Sequence, residues 1–398
     1  MLHKWRYRTG ALALVALAML AAAGLGHRIP QAWAGLFAPA VPAQAPQTLY
    51  PQGPLQAGNS APRFELHLLA DRNGPLDDIS KVPAQGGWLN STALDLAQLQ
   101  ADNKVVLLDF WAYTCINCIR ANAFTEELWQ RYRDHGLVVI GVHSLEFDIG
   151  GSPQNILAAV ERQGLTYPIL TDSDMFVWRE FNNRYWPAVY LIDAGGDIVY
   201  HKFGEGNYAH EEQVVRAQLQ KAGYQPPAYG PPNPPEQLVP VRRTQTPELY
   251  AGPDFLRRPY GNDQQPRNGQ TIEFDLPDSG LQPDRIYLAG AWRGAGDYVE
   301  SESTGRIALD YQAQAAYLVL ATNGEAHTVT VTLDGKPVPP AFRGEDVHVD
   351  NGTTVMTVDQ PRLYAPIAHR GEYGRHTIEF QVPPGIRLYS FTFGTYEP

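Results

Sequence analysis

Two residues of this chain could exchange electrons with another sulfur. Cys115 and Cys118 are the only cysteines among 398 residues, and they stand three positions apart in the stretch DFWAYTCINCIRANAF. A bridge between them closes too small a loop to staple the chain, because the stabilisation a disulfide provides grows with the loop it closes. A Cys-x-x-Cys that opens a helix offers different chemistry. Its first thiol sits where backbone N–H groups lack partners and where the helix dipole favours negative charge. That placement is expected to lower its pKa from about 8.5 toward a range of about 3.5 to 7. Cys115 is then the expected nucleophile, and Cys118, one turn further on, the residue that resolves a mixed disulfide.

Other uses of two thiols fit less well. A structural zinc site takes four ligands, and there is no second Cys pair; His143 on a neighbouring strand does not complete a set. No metal is expected. A peroxidase would set its cysteine in a different polar surrounding. Two inert core cysteines would leave the strand-to-helix placement unexplained.

The placement comes from the flanking elements. Val105–Trp111 (VVLLDFW) is nearly all apolar and reads as a central strand. A helix is expected from about Cys115 to Arg133, ending at His135-Gly136 with Gly as the cap. LVVIGVH at 137–143 reads as a second buried strand. A helix over 155–163, a short strand over 167–170 and a short helix over 175–181 follow. Residues 189–193 and 198–203 read as a hairpin turned by Ala194-Gly195-Gly196-Asp197, and 211–222 as a closing helix. Alternating strands and helices give an α/β domain over 61–225.

The ends of that domain differ in kind. Lys4, Arg6 and Arg8 precede an uncharged apolar run, Gly10 to Gly26, as in an export signal. Residues 1–26 are expected to be a signal peptide or membrane anchor, and the Pro/Ala/Gln-rich 27–60 a tether. Small-x-small sites at 32–34 and 43–45 allow cleavage, and the run is slightly short for a span of about 17–25 residues. Cleaved signal and retained anchor stay open. Either puts the body outside the cytoplasm, in a periplasm or on the outer face of the inner membrane. A net charge of -11 argues against nucleic acid as a partner. Residues 226–247 (with PPAYGPPNPPEQLVP) read as a semi-rigid linker.

From 248 to 398 short alternating segments recur without a convincing helix: 271–274, 306–311, 316–321, 327–333, 353–358, 376–380 and 389–393. They imply an antiparallel β-sandwich of the jelly-roll kind, with a hairpin turn at Asp334-Gly335. Trp292, Tyr298, Tyr311, Tyr364 and Tyr389 could form a platform for sugar rings or simply fill the core. Arg293 and Arg362 read as members of structural ion pairs. The half is expected to bind or dock, with a glycan as a possible partner, and not to catalyse.

VVLLDFWAYTCINC resembles the thioredoxin superfamily in its membrane-tethered, TlpA-like branch, and more closely the extracytoplasmic part of DipZ-type proteins. The likeness extends through GWLN at 87–90, LVVIGVHSLEF at 137–147, NRYWPAVYLID at 183–193 and FGEG at 203–206. It continues past the linker in TPELYAG, LAGAWRG, VTLDGKP, PRLY and FTFG. The resemblance implies an extracytoplasmic thiol–disulfide oxidoreductase whose tail is a carbohydrate-binding-like sandwich. It makes Pro187, after Trp186, the cis-proline that faces the dithiol, leaving the Trp186 backbone to pair with an extended substrate. It makes Asp109 the buried acid that takes the proton of Cys118, and Trp111 the aromatic shield of the dithiol. No cofactor is implied beyond the Cys115–Cys118 disulfide. The partners it implies are exported proteins with disulfides and a separate membrane electron donor of the CcdA/DsbD kind. A reductant is favoured over an oxidant, although Ile116-Asn117 between the cysteines leaves the direction open. One position departs from the family: Ala123 replaces the usual kinking proline of the first helix. A second reading keeps the thioredoxin-like part as a scaffold for a cell-envelope binding module.

Overall fold

The computed structural model describes residues 87–228, 244–370 and 372–394. The expected signal or anchor, the tether and most of the Pro-rich linker lie outside them. Among the described residues no helix is long and apolar enough to cross a membrane.

The first lobe is built on a six-stranded mixed sheet. In chain order its elements are β1 (Trp88–Leu89), α1 (Leu96–Ala101), β2 (Val105–Trp111), α2 (Ile116–Tyr132), β3 (Leu137–Ser144), α3 (Pro153–Gln163), β4 (Ile169–Asp172), α4 (Phe176–Glu180), β5 (Ala188–Ile192), β6 (Ile198–Phe203) and α5 (Tyr208–Lys221). The strands lie in the order β1-β4-β3-β2-β5-β6. β2 is central and buried along its whole length, as its unbroken apolar run requires. It pairs parallel with β3 and antiparallel with β5, so Asp109 lies between Gly141 and Val189.

Local chemistry sets the helix ends. α2 runs unbroken from Ile116 to Tyr132, with Ala123 where a kink was in question, and gives way to a turn ending at Gly136 at φ 90°. Ser152 caps α3, whose first residue is Pro153, a ring already set to the helical φ. α3 and α5 start earlier than their sequence patterns suggest, and β4 lies two residues later. The short β1 and α1 carry too weak a pattern to be read from sequence.

The second lobe is all β. Its strands are β7 (Leu249–Tyr250), β8 (Thr271–Phe274), β9 (Ile286–Ala295), β10 (Tyr298–Ser301), β11 (Gly305–Ala313), β12 (Ala315–Thr322), β13 (His327–Leu333), β14 (Lys336–Pro337), β15 (Val347–Asp350), β16 (Thr353–Val358), β17 (Arg362–Ala368), β18 (Gly374–Val382) and β19 (Ile386–Gly394). The pairing is antiparallel and continuous, so the expected two-sheet sandwich is one thirteen-stranded sheet folded over on itself, nearly a barrel. The ten-residue β9 makes this possible. Its first part pairs with β11 and its second with β10, carrying the ladder from one face to the other. Asp334 and Gly335 turn the β13–β14 hairpin with φ 51° and 72°, as an Asp-Gly pair at a two-residue turn allows.

Aromatic side chains fill this second core. Trp292, Tyr311, Tyr364 and Tyr389 are each at most 1% exposed, so they do not form a sugar platform. Arg293 pairs with Glu300 and Glu302, and Arg362 with Asp346 at 2.6 Å, as structural ion pairs.

The two lobes belong to one compact unit. Phe147, just after β3, leaves its own sheet and packs with Val319, Ala321 and Tyr389 of the second lobe, its ring 5.2 Å from that of Tyr389. The Asp148 N–H donates to Asp297 at 2.7 Å, and Arg162 donates to Gln360 at 2.8 Å.

Gly141 gives the tightest test of packing beneath the site. A Cβ there would stand 2.7 Å from the Tyr167 ring and 3.1 Å from the Trp111 indole nitrogen. Gly141→Ala is expected to lower stability by about 1–3 kcal/mol, the usual range for overpacking. Gly151→Ala, whose Cβ would meet nothing nearer than 3.7 Å, should change it by less than about 0.5 kcal/mol. Urea denaturation of the two variants measures the difference.

Candidate active site

The site forms where β2 hands the chain to α2. Cys115 is the N-cap of α2, in extended conformation, and its Sγ accepts the Cys118 N–H at 3.2 Å. Both thiols are free; Cys115 is partly exposed and Cys118 is fully buried. Only one sulfur can therefore meet a substrate directly.

The helix terminus does not prevail over its surroundings. Burial pushes the Cys115 thiol above its ordinary pKa, with the Glu146 and Glu248 carboxylates adding to the rise; the bonds from Cys118 only moderate it. The expected depression is thus reversed. The Cys118 thiol is pushed well up by burial and by its neighbour Cys115.

Asp109 is 0% exposed. Its Oδ2 accepts the Thr125 hydroxyl at 2.9 Å, while its Oδ1 is buried without a hydrogen-bond partner. Among the described residues no cation pairs with it directly, since Lys202 is held by Glu211. Burial raises its pKa to about 7, helped by Glu211 and opposed by Thr125 and Lys202. A carboxyl at about 7 can both take and return a proton at neutral pH. Tyr167 completes this interior. Its hydroxyl is buried without a partner, and the charges of Asp109 and Cys118 both act on it. Sequence gave no sign of it, because a single tyrosine beside a short strand looks like any core residue.

Trp111, the expected shield of the dithiol, is buried in the same apolar cluster as Cys118 and does not line the substrate space. It is 0% exposed, and its ring meets His143 edge to face at 4.9 Å. His143 accepts the Tyr113 N–H at 3.2 Å and stacks on the Tyr113 ring at 5.4 Å. Burial lowers its pKa to about 3, so it stays neutral and fixes the loop before Cys115. Trp186 and Pro187 come from the loop before β5. The Trp186–Pro187 bond is cis, and Trp186 stacks on Trp178 at 4.2 Å.

The open side of Cys115 faces a cavity of about 410 Å³. Cys115, Asn117, Glu146 and Trp186 line one side; Gln245, Thr246, Glu248, Tyr250 and Thr392 of the second lobe line the other. Glu146 accepts the Thr114 hydroxyl at 2.5 Å, and Tyr250 donates to Glu248 at 2.8 Å. Burial, with the charge of Glu248, raises the Glu146 pKa to about 8. Arg120 holds Glu205 through two bonds of 2.7 Å and also reaches Asn117. That ion pair gives the FGEG segment and Asn117 a place in the site. Among the described residues no group of three or more His, Cys, Asp or Glu could hold a metal ion.

Two family models match the chain. Residues 57–201 match the AhpC/TSA family, and residues 246–394 match the Thioredoxin like C-terminal domain. Over these two stretches the chain carries thioredoxin-like domains. It is 37% identical over 317 residues to Protein DipZ of Mycobacterium bovis, an alignment covering 77% of this chain and 41% of that protein. It is 29% identical over 137 residues to the thiol-disulfide oxidoreductase YkuV of Bacillus subtilis, covering 34% of this chain and 90% of the relative. A putative thiol:disulfide interchange protein DsbE from Chlorobium tepidum superposes at TM-score 0.31 with 18% identity, over 42% of this chain and 98% of the other. The chain thus spans about two fifths of the DipZ relative's length.

The dithiol and the cis Trp186–Pro187 loop are accompanied by carboxylates from both lobes, and two measurements follow. Asp109 with a pKa near 7 against an ordinary value of 3.8 is neutral in the fold where it would be ionised in the unfolded chain. Its burial costs nothing below about pH 4 and reaches full cost as pH rises through 7. Asp109→Asn should therefore raise stability above pH 7 by on the order of 3 kcal/mol and leave it nearly unchanged at pH 4. Denaturant midpoints at both pH values check this, and equal shifts at both would contradict it. Glu248→Gln removes a charge that raises the Cys115 pKa, so its thiolate should appear at lower pH when ultraviolet absorbance is followed in a titration.

Proposed function

We propose that the chain is an extracytoplasmic thiol–disulfide oxidoreductase working as a reductant of exported proteins. Cys115 attacks the substrate disulfide, Cys118 resolves the mixed disulfide, and Asp109 takes the Cys118 proton. Trp186 and Pro187 border the approach to Cys115. The direction is carried by the Glu146 and Glu248 carboxylates, which line the cavity with Cys115 and disfavour its thiolate. Strong dithiol oxidants owe their potential to a stabilised reduced form, and a depressed nucleophile pKa is one source of that stabilisation. Here the thiolate is disfavoured, so the dithiol gives up its electrons more readily. The relatives named as DipZ and as a thiol-disulfide oxidoreductase support the class of reaction.

The electrons enter from outside these two lobes, whose only two cysteines are the reacting pair. A membrane donor of the CcdA/DsbD kind would suit a body exported behind the N-terminal apolar run. The second lobe is read as a jelly-roll, carbohydrate-binding-like module turned to docking on the first lobe. The glycan reading keeps only Tyr298 of its proposed aromatics outside the fully buried core, and Arg387 lies over that ring at 5.0 Å.

Cys118→Ser should trap mixed disulfides between Cys115 and exported proteins, seen as species that collapse on adding reductant. The potential of the wild-type pair should lie nearer about -270 mV than about -120 mV. A value at the upper end would reverse the direction, and a Cys118→Ser variant that traps nothing would remove the activity.

A further inference from the structure

We infer that the second lobe restricts this dithiol to disulfides carried on small molecules or on extended, unfolded segments of exported proteins, and shuts out those on folded protein surfaces. The inference rests on the oxidoreductase reading and concerns what can reach Cys115. Cys118 is fully buried, so every productive encounter passes through Cys115. Cys115 opens into a cavity whose opposite wall is Thr246, Glu248, Tyr250 and Thr392 of the second lobe. At about 410 Å³ the space lies in the range of small-ligand sites, about 300–1,000 Å³. A folded partner would instead need an open face around the sulfur, up to about 600 Å² a side even for a weak redox encounter. Thr392 belongs to β19, paired on both sides by β10 and β12, and Tyr250 packs against Phe147 and Phe255. The wall is therefore part of a packed core and not a loose flap.

The wall also bears groups that a peptide backbone can use. Glu248 offers a carboxylate held by Tyr250, while Gln245 and Thr246 offer an amide and a hydroxyl. The carboxylates of Glu146 and Glu248 are faced by the Arg120–Glu205 pair and, from the adjoining cleft, by Arg257. The reaction balances on the chain's own dithiol. The Cys115 sulfur attacks one sulfur of the substrate and expels the first thiolate, which picks up a proton. Cys118 then attacks Cys115 and expels the second, Asp109 taking the Cys118 proton and a proton passing on to the departing thiolate. The substrate leaves as two thiols and the chain as the Cys115–Cys118 disulfide.

The test uses reduced full-length protein in single turnovers against two probes, the disulfide of N-acetylcysteinamide and native insulin. Each rate is divided by that of dithiothreitol with the same probe, which removes intrinsic reactivity. The normalised rate should favour the small disulfide by about ten-fold or more, corresponding to about 1.4 kcal/mol. Glu248→Gly, at the exposed rim, should raise the insulin rate and shrink that ratio. Thr392→Trp, filling the cavity, should slow the small disulfide by a similar factor while the denaturant midpoint confirms an intact fold. If Thr392→Trp unfolds, Glu248→Gly alone decides. Equal normalised rates for both probes in the wild type, or a ratio untouched by Glu248→Gly, would overturn the inference and leave the oxidoreductase reading standing. Reduction of neither probe would sink both.

Discussion

The placement of Phe147 governs the rest of the molecule. It stands three residues past the end of β3, yet its ring is buried in the second lobe against Val319, Ala321 and Tyr389. A side chain of that size contributes roughly 1.5–3 kcal/mol when fully removed from water, and here that gain requires both lobes. The same short segment carries Glu146 one residue earlier and His143 four residues earlier. Docking Phe147 therefore fixes the carboxylate that faces the thiol and the loop support beneath it. The cavity follows from this seam.

Electrostatics at the dithiol are a contest between a helix terminus and its surroundings. The helix offers the Cys118 N–H to the Cys115 sulfur, worth a modest stabilisation of negative charge. Against it stand burial and two carboxylates, and the thiol pKa rises. The carboxyl groups are displaced in the same sense: Asp109 reaches about 7 and Glu146 about 8. Acid and thiols are thereby all shifted toward their protonated, neutral forms.

Much of this was legible in the sequence, for identifiable reasons. The central strand announced itself as an apolar run, the dithiol by its spacing, and the hairpin at Asp334-Gly335 by its turn residues. What stayed hidden depends on contacts distant along the chain. Glu146 and Glu248 become neighbours only when the lobes dock, so a rule based on helix position gave the wrong sign for Cys115. Trp292, Tyr311, Tyr364 and Tyr389 could not be assigned to core or surface because the sheet folds over at β9, a ten-residue strand that the pattern of short segments concealed. Tyr167 was missed because its unpartnered hydroxyl has no counterpart in sequence.

The cavity wall has a consequence for how such a protein can change over time. A redox domain with a free active-site face can be joined to new neighbours, because its reactivity travels with it. Here part of the acid surrounding the nucleophile comes from Glu248, beyond the proline-rich stretch, and part from Glu146, before it. Exchange either half for another and the sulfur meets a different charge. The two halves therefore have to vary together, as one inherited unit.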